Sequence, residues 1–149
     1  MSLETSLTPA QRDDLQVVAG MIIPASSEYN VPGADDAVIQ ADMLATLGRD
    51  APMVREALDH LERLAGKPLA SLDATRRDAV AKEFRASGCA AAATLARVVL
   101  QCYYRDDRVL RSLGLELRPP FPLGYPLEQG DWSLLHPVKA RPATLRRTT

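Results

Sequence analysis

Side chains capable of chemistry are scarce in this sequence of 149 residues. It contains two histidines, His60 and His136, and two cysteines, Cys89 and Cys102. A metal site in a helical protein needs several converging carboxylates and histidines, commonly supplied by repeated Glu-x-x-His pairs. Glu56 precedes His60 by four residues, and no second pair follows to complete a site. We therefore expect no metal, and we interpret His60 as a solvated helix residue.

Motifs for nucleophilic or phosphate chemistry are also missing. The sequence has no Gly-x-Ser-x-Gly, no glycine-rich phosphate loop and no cysteine with an evident histidine partner. Cys102 lies in an apolar run, where low polarity would keep its thiol protonated. Asp106 and Asp107 could form an acid–base pair, but a helix cap followed by a first-turn carboxylate explains both more simply. We expect no enzymatic activity and no cofactor in this chain.

The most apolar run, residues 88–104, is predicted to be the central helix. Its four consecutive alanines favour a helix because they lose no side-chain entropy. Thr94, Arg97 and Gln101 are spaced three and four apart, so they share one narrow polar face. The run is shorter than the roughly 20 residues that a bilayer requires, and Arg97 lies at its middle. It predicts a nearly buried helix and no membrane insertion.

Two amphipathic helices are predicted at the start of the chain. Thr8 and Pro9 mark the beginning of the first, as a capping hydroxyl and a proline in the first turn. Its predicted core-facing stripe contains Leu15, Val18, Ala19, Ile22 and Ile23. The second helix is predicted from residue 34 to about residue 49. Its predicted inward positions are Val38, Ala41, Leu44 and Ala45.

Three more helices complete the predicted bundle. Asp50 is expected to cap a third helix that Gly66 ends, with a stripe of Val54, Ala57, Leu58, Leu61, Leu64 and Ala65. Asp73 is expected to cap a fourth helix to about residue 87, facing inward with Val80, Ala81 and Phe84. Asp106 is expected to cap a short helix over residues 107–113. Since no segment shows the period of a strand, we predict an all-α fold, a compact bundle of five to six helices.

The prolines at positions 119, 120, 122 and 126 predict an extended arm after the bundle. We therefore divide the chain into a helical domain at residues 1–117 and an arm with a basic tail at residues 118–149. The arm carries five Lys or Arg against two Asp or Glu, a charge too small to indicate nucleic acid. Its rings, Phe121, Tyr125 and Trp132, either hold the arm to its own bundle or wrap another subunit.

The polar face of the central helix also has two interpretations. Thr94, Arg97 and Gln101 continue into Tyr104 and Arg108 at helical spacing. The stripe is either the solvated edge of a mostly buried helix or a seam that docks onto a partner. The sequence alone leaves both open.

Several segments resemble the small subunit of gluconate 2-dehydrogenase, the subunit 3 family. The most specific is the block at 101–110, Gln-Cys-Tyr-Tyr-Arg-Asp-Asp-Arg-Val-Leu, followed by Leu-Gly at 113. Pro-Pro-Phe-Pro-Leu-Gly-Tyr-Pro at 119–126 and Gly-Asp-Trp at 130–132 are also similar to that family. So are Leu-Thr-Pro-Ala-Gln-Arg at 7–12 and Ile-Ile-Pro at 22–24.

The resemblance implies a non-catalytic accessory subunit. Members of this bacterial family accompany a large flavoprotein of the glucose–methanol–choline oxidoreductase type, which holds FAD and oxidises a sugar or sugar acid. A cytochrome c subunit often carries the electrons away. The small subunit is thought to aid maturation, stability or export. Carried onto this sequence, together with the polar stripe, the expected partner-binding residues are Arg97, Gln101, Tyr103, Tyr104, Asp106, Phe121, Tyr125 and Trp132.

The sequence departs from that family in its export signal. Typical members begin with a twin-arginine signal, whereas adjacent arginines here are found at 76–77 and 146–147. We expect a cytoplasmic protein, or one exported while bound to a partner that carries a signal. Two other classes stay open: a free-standing helical module that self-associates or binds an unrelated partner, and an enzyme whose polar pocket the two histidines do not supply.

Overall fold

The structure, a computed structural model, describes residues 7–117, 121–126 and 128–141. The chain divides into two units, Met1–Leu117 and Arg118–Thr149. The described residues contain seven α-helices, three short 3-10 turns and one isolated bridge between Ser26 and Val31, with no strand. The prediction of an all-α fold is confirmed.

Helix α1, Pro9–Ile22, begins as its sequence predicts. The Thr8 side chain accepts a hydrogen bond from the backbone N–H of Gln11 at 3.2 Å, and the Gln11 side chain accepts one from the Thr8 N–H at 3.0 Å. This reciprocal capping satisfies two N–H groups that the helix itself cannot bond. The predicted stripe is buried as far as residue 19, and Ile23 is partly buried against the core, but Ile22 is 37% exposed, so that position was predicted wrongly.

Helix α2, Ala37–Thr46, is shorter than predicted and buries a different face. Asp36 caps it by accepting hydrogen bonds from the N–H groups at 38 and 39, so the helix starts three residues late. Its buried residues are Ile39 and Met43, followed by Leu47 one turn later. Of the predicted inward positions, Val38, Ala41 and Ala45 are exposed, whereas Leu44 is partly buried against the core. The buried face therefore lies about one position away from the predicted one.

Helix α3, Ala51–Ala65, has the predicted core stripe. Val54, Ala57, Leu58 and Leu61 are buried, and Gly66 ends the helix with a left-handed φ of 76°. A residue with a side chain is strained in that conformation, which explains the glycine. Asp50 ends the 3-10 turn Gly48–Asp50 and makes no capping hydrogen bond, so its predicted capping role is wrong.

Helices α4, Ala74–Ala86, and α5, Ala90–Tyr103, follow as predicted. The Asp73 side chain caps α4 by accepting from the N–H of residue 76 at 2.9 Å, and Val80 and Phe84 are buried. Helix α5 contacts α1, α2 and α3, and α3 contacts α1, α4 and α5. Helices α3 and α5 therefore share the centre of the bundle. A 3-10 turn, Leu69–Ser71, connects α3 to α4 and packs against α1.

Helix α6, Asp107–Ser112, closes the first unit. The Asp106 side chain caps it by accepting from the N–H of Arg108 at 2.9 Å, as predicted. In the second unit, Asp131 caps a 3-10 turn, Trp132–Leu135, that leads into the short helix α7, His136–Lys139. Residues 121–126 and 128–131 contain no helix. The prolines at 119 and 120 lie outside the described residues.

Candidate protein-interaction site

Three arginines of the segment from α5 to α6 bind carboxylates that precede or belong to α2 and α3. Arg97 pairs with Asp50 at 2.8 Å, across 47 residues of chain. Arg105 pairs with Asp42 in the middle of α2. Arg97 belongs to the polar face predicted for α5. Part of that face therefore holds the bundle together, and its charges are not all available to a partner.

Arg108 makes the most extensive of these contacts. Its guanidinium bonds to Asp36 at 2.7 and 3.2 Å and to Asp106 at 2.9 and 3.0 Å. Asp36 caps α2 and Asp106 caps α6, so one side chain links the N-termini of two helices. Bonds of this charge-assisted kind are stronger than neutral ones and fix the direction of both groups.

The electrostatics follow from this geometry. Hydrogen bonds from Arg108 hold the pKa of Asp36 and the pKa of Asp106 below their usual range. The same bonds, first with Asp106 and then with Asp36, raise the pKa of Arg108. All three groups stay charged at neutral pH. The sequence analysis did not predict the ion pairs of Arg108. Its partner Asp36 lies 72 residues away in the chain, so no local pattern indicates the contact.

Arg105 is surrounded by polar groups of α2 and by one thiol. It donates to Thr46 Oγ1 at 2.6 Å and to Cys102 Sγ at 3.4 Å, in addition to its pair with Asp42. The bond with Asp42 raises the pKa of Arg105. Burial is the main cause that raises the pKa of the Cys102 thiol, in the direction that its apolar sequence context predicts.

Three of the expected partner-binding residues are exposed at the surface of the first unit: Arg97, Gln101 and Tyr104. Gln101 is exposed and accepts from Arg97 at 3.1 Å, and Tyr104 is 52% exposed with its ring at 5.2 Å from that of Tyr103. Asp106 is occupied by its cap and by its ion pair. Tyr103 departs from expectation, because it is only 4% exposed and belongs to the core. The surface residues that share the face of α5 are thus Arg97, Gln101 and Tyr104.

The other three expected residues belong to the second unit and are all exposed. Phe121 is 83% exposed, Trp132 68% and Tyr125 42%. The indole N–H of Trp132 donates to Gln129 Oε1 at 3.1 Å, and Asp131 accepts from the N–H of residue 133 at 2.9 Å. These bonds fix the local conformation around the indole while its ring remains accessible.

One pair of side chains contradicts the sequence analysis. Cys89 Sγ lies 3.8 Å from His60 Nδ1, whereas no cysteine had an evident histidine partner in the sequence. His60 also contacts the ring of Phe84 edge-on, with centroids 5.4 Å apart, so it is a half-buried packing residue and not a solvated one. The packing of α3 against α5 creates this pair, and no local sequence signal indicates it.

An open groove of about 820 Å³ lies beside α6. The loop between α1 and α2 lines one side through Ser26, Tyr29 and Asn30, and α6 lines the other through Arg108 and Arg111. Within the described ranges, no three His, Cys, Asp or Glu side chains converge on a position where they could hold a metal ion. None of the described helices is both long and apolar enough to cross a bilayer.

The arrangement as a whole offers surfaces for binding. Its exposed rings and its half-exposed arginines can contact another protein, while the partly buried carboxylates that pair with those arginines hold the helices together. The chain matches no protein-family model, no curated protein and no solved structure.

Proposed function

We propose that this chain is a non-catalytic accessory subunit of a flavin-dependent dehydrogenase of the glucose–methanol–choline type. In this proposal it binds the large flavoprotein and stabilises it or helps it to mature. The flavoprotein holds FAD and oxidises a sugar or sugar acid, and a cytochrome c subunit can accept its electrons. The proposal starts from the resemblance of the 101–110 block and the proline-rich arm to the subunit 3 family.

One observation carries the proposal furthest: large apolar side chains stay exposed at the end of the chain. Between residues 113 and 138 they recur every few positions, and the three most exposed are Phe121, Leu123 and Leu134, at 83%, 83% and 72%. Large exposed apolar side chains that gather into a patch mark protein–protein interaction sites. Aromatic residues are also enriched where such interfaces are most tightly packed.

The face of α5 supplies a second, more polar contact surface. Arg97 is bound to Asp50 and Gln101, which holds its guanidinium in place, and the Tyr104 ring projects beside it. Arginine and tyrosine that are held in place lose little side-chain entropy on binding, and both are frequent among residues that dominate binding energy. This surface suits a partner that presents carboxylates or carbonyl groups.

In this proposal the two chains meet in the cytoplasm, before any export of a partner that carries a signal. A role in maturation requires contact while the large subunit is still folding and taking up FAD. The accessory subunit contributes contacts and no reacting group of its own.

The first test is whether a large flavoprotein of this type is encoded beside this chain, and the second is co-expression with that flavoprotein, followed by affinity purification. We expect the two chains to copurify in a fixed ratio, and the flavoprotein made alone to carry less FAD per chain, measured from its flavin absorbance. Failure to copurify, together with full FAD loading of the flavoprotein made alone, would reject the accessory role.

The second candidate is self-association or binding of an unrelated partner through the same exposed residues. The exposed apolar stretch favours it as well, because such a surface can equally pair with a second copy. Sedimentation velocity of the purified chain distinguishes self-association from the accessory role. A stable dimer at micromolar concentration that the flavoprotein does not disrupt would favour the second candidate.

A further inference from the structure

A cleft of about 620 Å³ opens between α1, α4 and α5. It exists because α4 and α5 both pack against α3 but make few direct contacts with each other. Leu61 of α3 and Leu95 of α5, both buried, line it, and alanines at 81, 92 and 96 form its walls. The small alanine side chains leave this space unfilled.

The charged residues of the cleft all come from one face of α4. Asp78, Lys82 and Arg85 are spaced four and three apart and line the cleft together. None of them takes part in an ion pair or a side-chain hydrogen bond among the described residues. In contrast, Arg97, Arg105 and Arg108 each bind a carboxylate of their own bundle.

Two unpaired cations beside an apolar cleft favour one class of ligand. A carboxylate placed between Lys82 and Arg85 would bind both cations, and an attached hydrocarbon would displace water from Leu61 and Leu95. A cationic head group would instead face two like charges, with Asp78 as its single opposite charge. The cleft volume lies within the roughly 300–1,000 Å³ that is common for small-molecule sites.

We propose that this cleft binds the carboxylate of a single linear alkyl chain, such as a free fatty acid. The chain lies along the alanine walls formed by α4 and α5, and the head group lies at Lys82 and Arg85. This site is separate from the exposed face of α5 at Arg97, Gln101 and Tyr104, and it does not depend on the proposed accessory role.

Titration of the ¹⁵N-labelled protein with dodecanoate, below its micelle concentration, tests the proposal. We expect saturable shifts of the amide resonances of Ala81, Ala92 and Ala96. Each methylene removed from the probe should weaken binding by about fourfold while the chain stays buried. Dodecyltrimethylammonium, with the same chain and the opposite charge, should bind more weakly than dodecanoate.

Two matched pairs of variants complete the test. Lys82→Glu with Arg85→Glu should weaken dodecanoate binding by roughly tenfold, whereas Lys67→Glu, exposed outside the cleft, should not change it. Ala96→Phe should block the cleft, and Ala93→Phe on the exposed side of α5 should not.

Several results would overturn the proposal. They are the absence of saturable shifts with dodecanoate, equal affinity for both head groups, or unchanged binding by the charge-reversed variant. A cleft that accepts only an apolar helix of another protein would give the first of these results. If Ala96→Phe fails to fold, the charge reversal still decides, because Lys82 and Arg85 contribute no ion pair to the bundle.

Discussion

Arg108 shows how a single residue can be structural and yet look functional. It bridges Asp36 and Asp106, whose main role is to cap α2 and α6. The cap at Asp106 could be predicted, because a capping side chain bonds to N–H groups two or three residues ahead. The bridge could not, because it depends on how α2 packs beside α6. For the same reason Asp50 was misassigned, since its partner Arg97 lies 47 residues away.

Replacing Arg108 by Gln should lower the free energy of unfolding by about 1 kcal/mol at pH 7, after screening of the half-exposed pairs. Both aspartates have a lower pKa in the folded state than in the unfolded chain. Their contribution to stability is therefore complete above the unfolded pKa of about 3.9, and it is lost as the pH falls from there through the folded pKa. The difference between wild type and variant should therefore shrink below about pH 4.

Urea denaturation at pH 7 and at pH 3 measures this difference. Arg111→Gln is the matched control, because Arg111 is exposed and lies 3.8 Å from Asp107. It should change stability by no more than a few tenths of a kcal/mol. A difference for Arg108→Gln that is the same at both pH values would contradict the proposed linkage.

At the scale of elements, the sequence predicted the existence of helices better than the faces that they bury. The stripe of α3 was correct because its six residues repeat at helical spacing without ambiguity. In α2 apolar residues occupy nearly every position, so periodicity could not distinguish the face of Val38 from that of Ile39. In the structure Ile39 is buried and Val38 is exposed, because the face of α2 that packs against α5 carries Ile39.

The register of α2 can be tested by a pair of adjacent substitutions. Ile39→Ala should cost about 2 to 5 kcal/mol, because Ile39 is 1% exposed and a cavity would remain. Val38→Ala should change stability by less than about 0.5 kcal/mol, because Val38 is mostly exposed. Thermal and urea unfolding report both values. Equal losses would mean that α2 is rotated relative to the described structure.

At the scale of the whole molecule, the apolar core is confined to one part of the chain. Every buried apolar side chain among the described residues lies between Leu7 and Val109. The proline content predicted that the helical part would end near residue 117. The sequence could not predict which rings would be exposed, because ring burial depends on long-range packing. Tyr103 is buried and Tyr104 is not, although they are neighbours.

A chain ending at Leu117 should therefore fold by itself. We expect cooperative thermal unfolding and a loss of less than about 1 kcal/mol, because no buried apolar residue of the described core is removed. Circular dichroism and urea denaturation measure both properties. Loss of cooperativity would show that the helical unit needs the second unit for its stability.

The central claim is that the exposed rings bind a partner and contribute little to the fold. The most direct measurement compares the dissociation constant for the flavoprotein with the unfolding midpoint, for a variant in which Tyr104, Tyr125 and Trp132 are replaced by Ala. We predict that binding weakens by about a hundredfold or more, while the midpoint changes by only a few degrees. Unchanged affinity, or loss of helicity in parallel with loss of binding, would contradict the account.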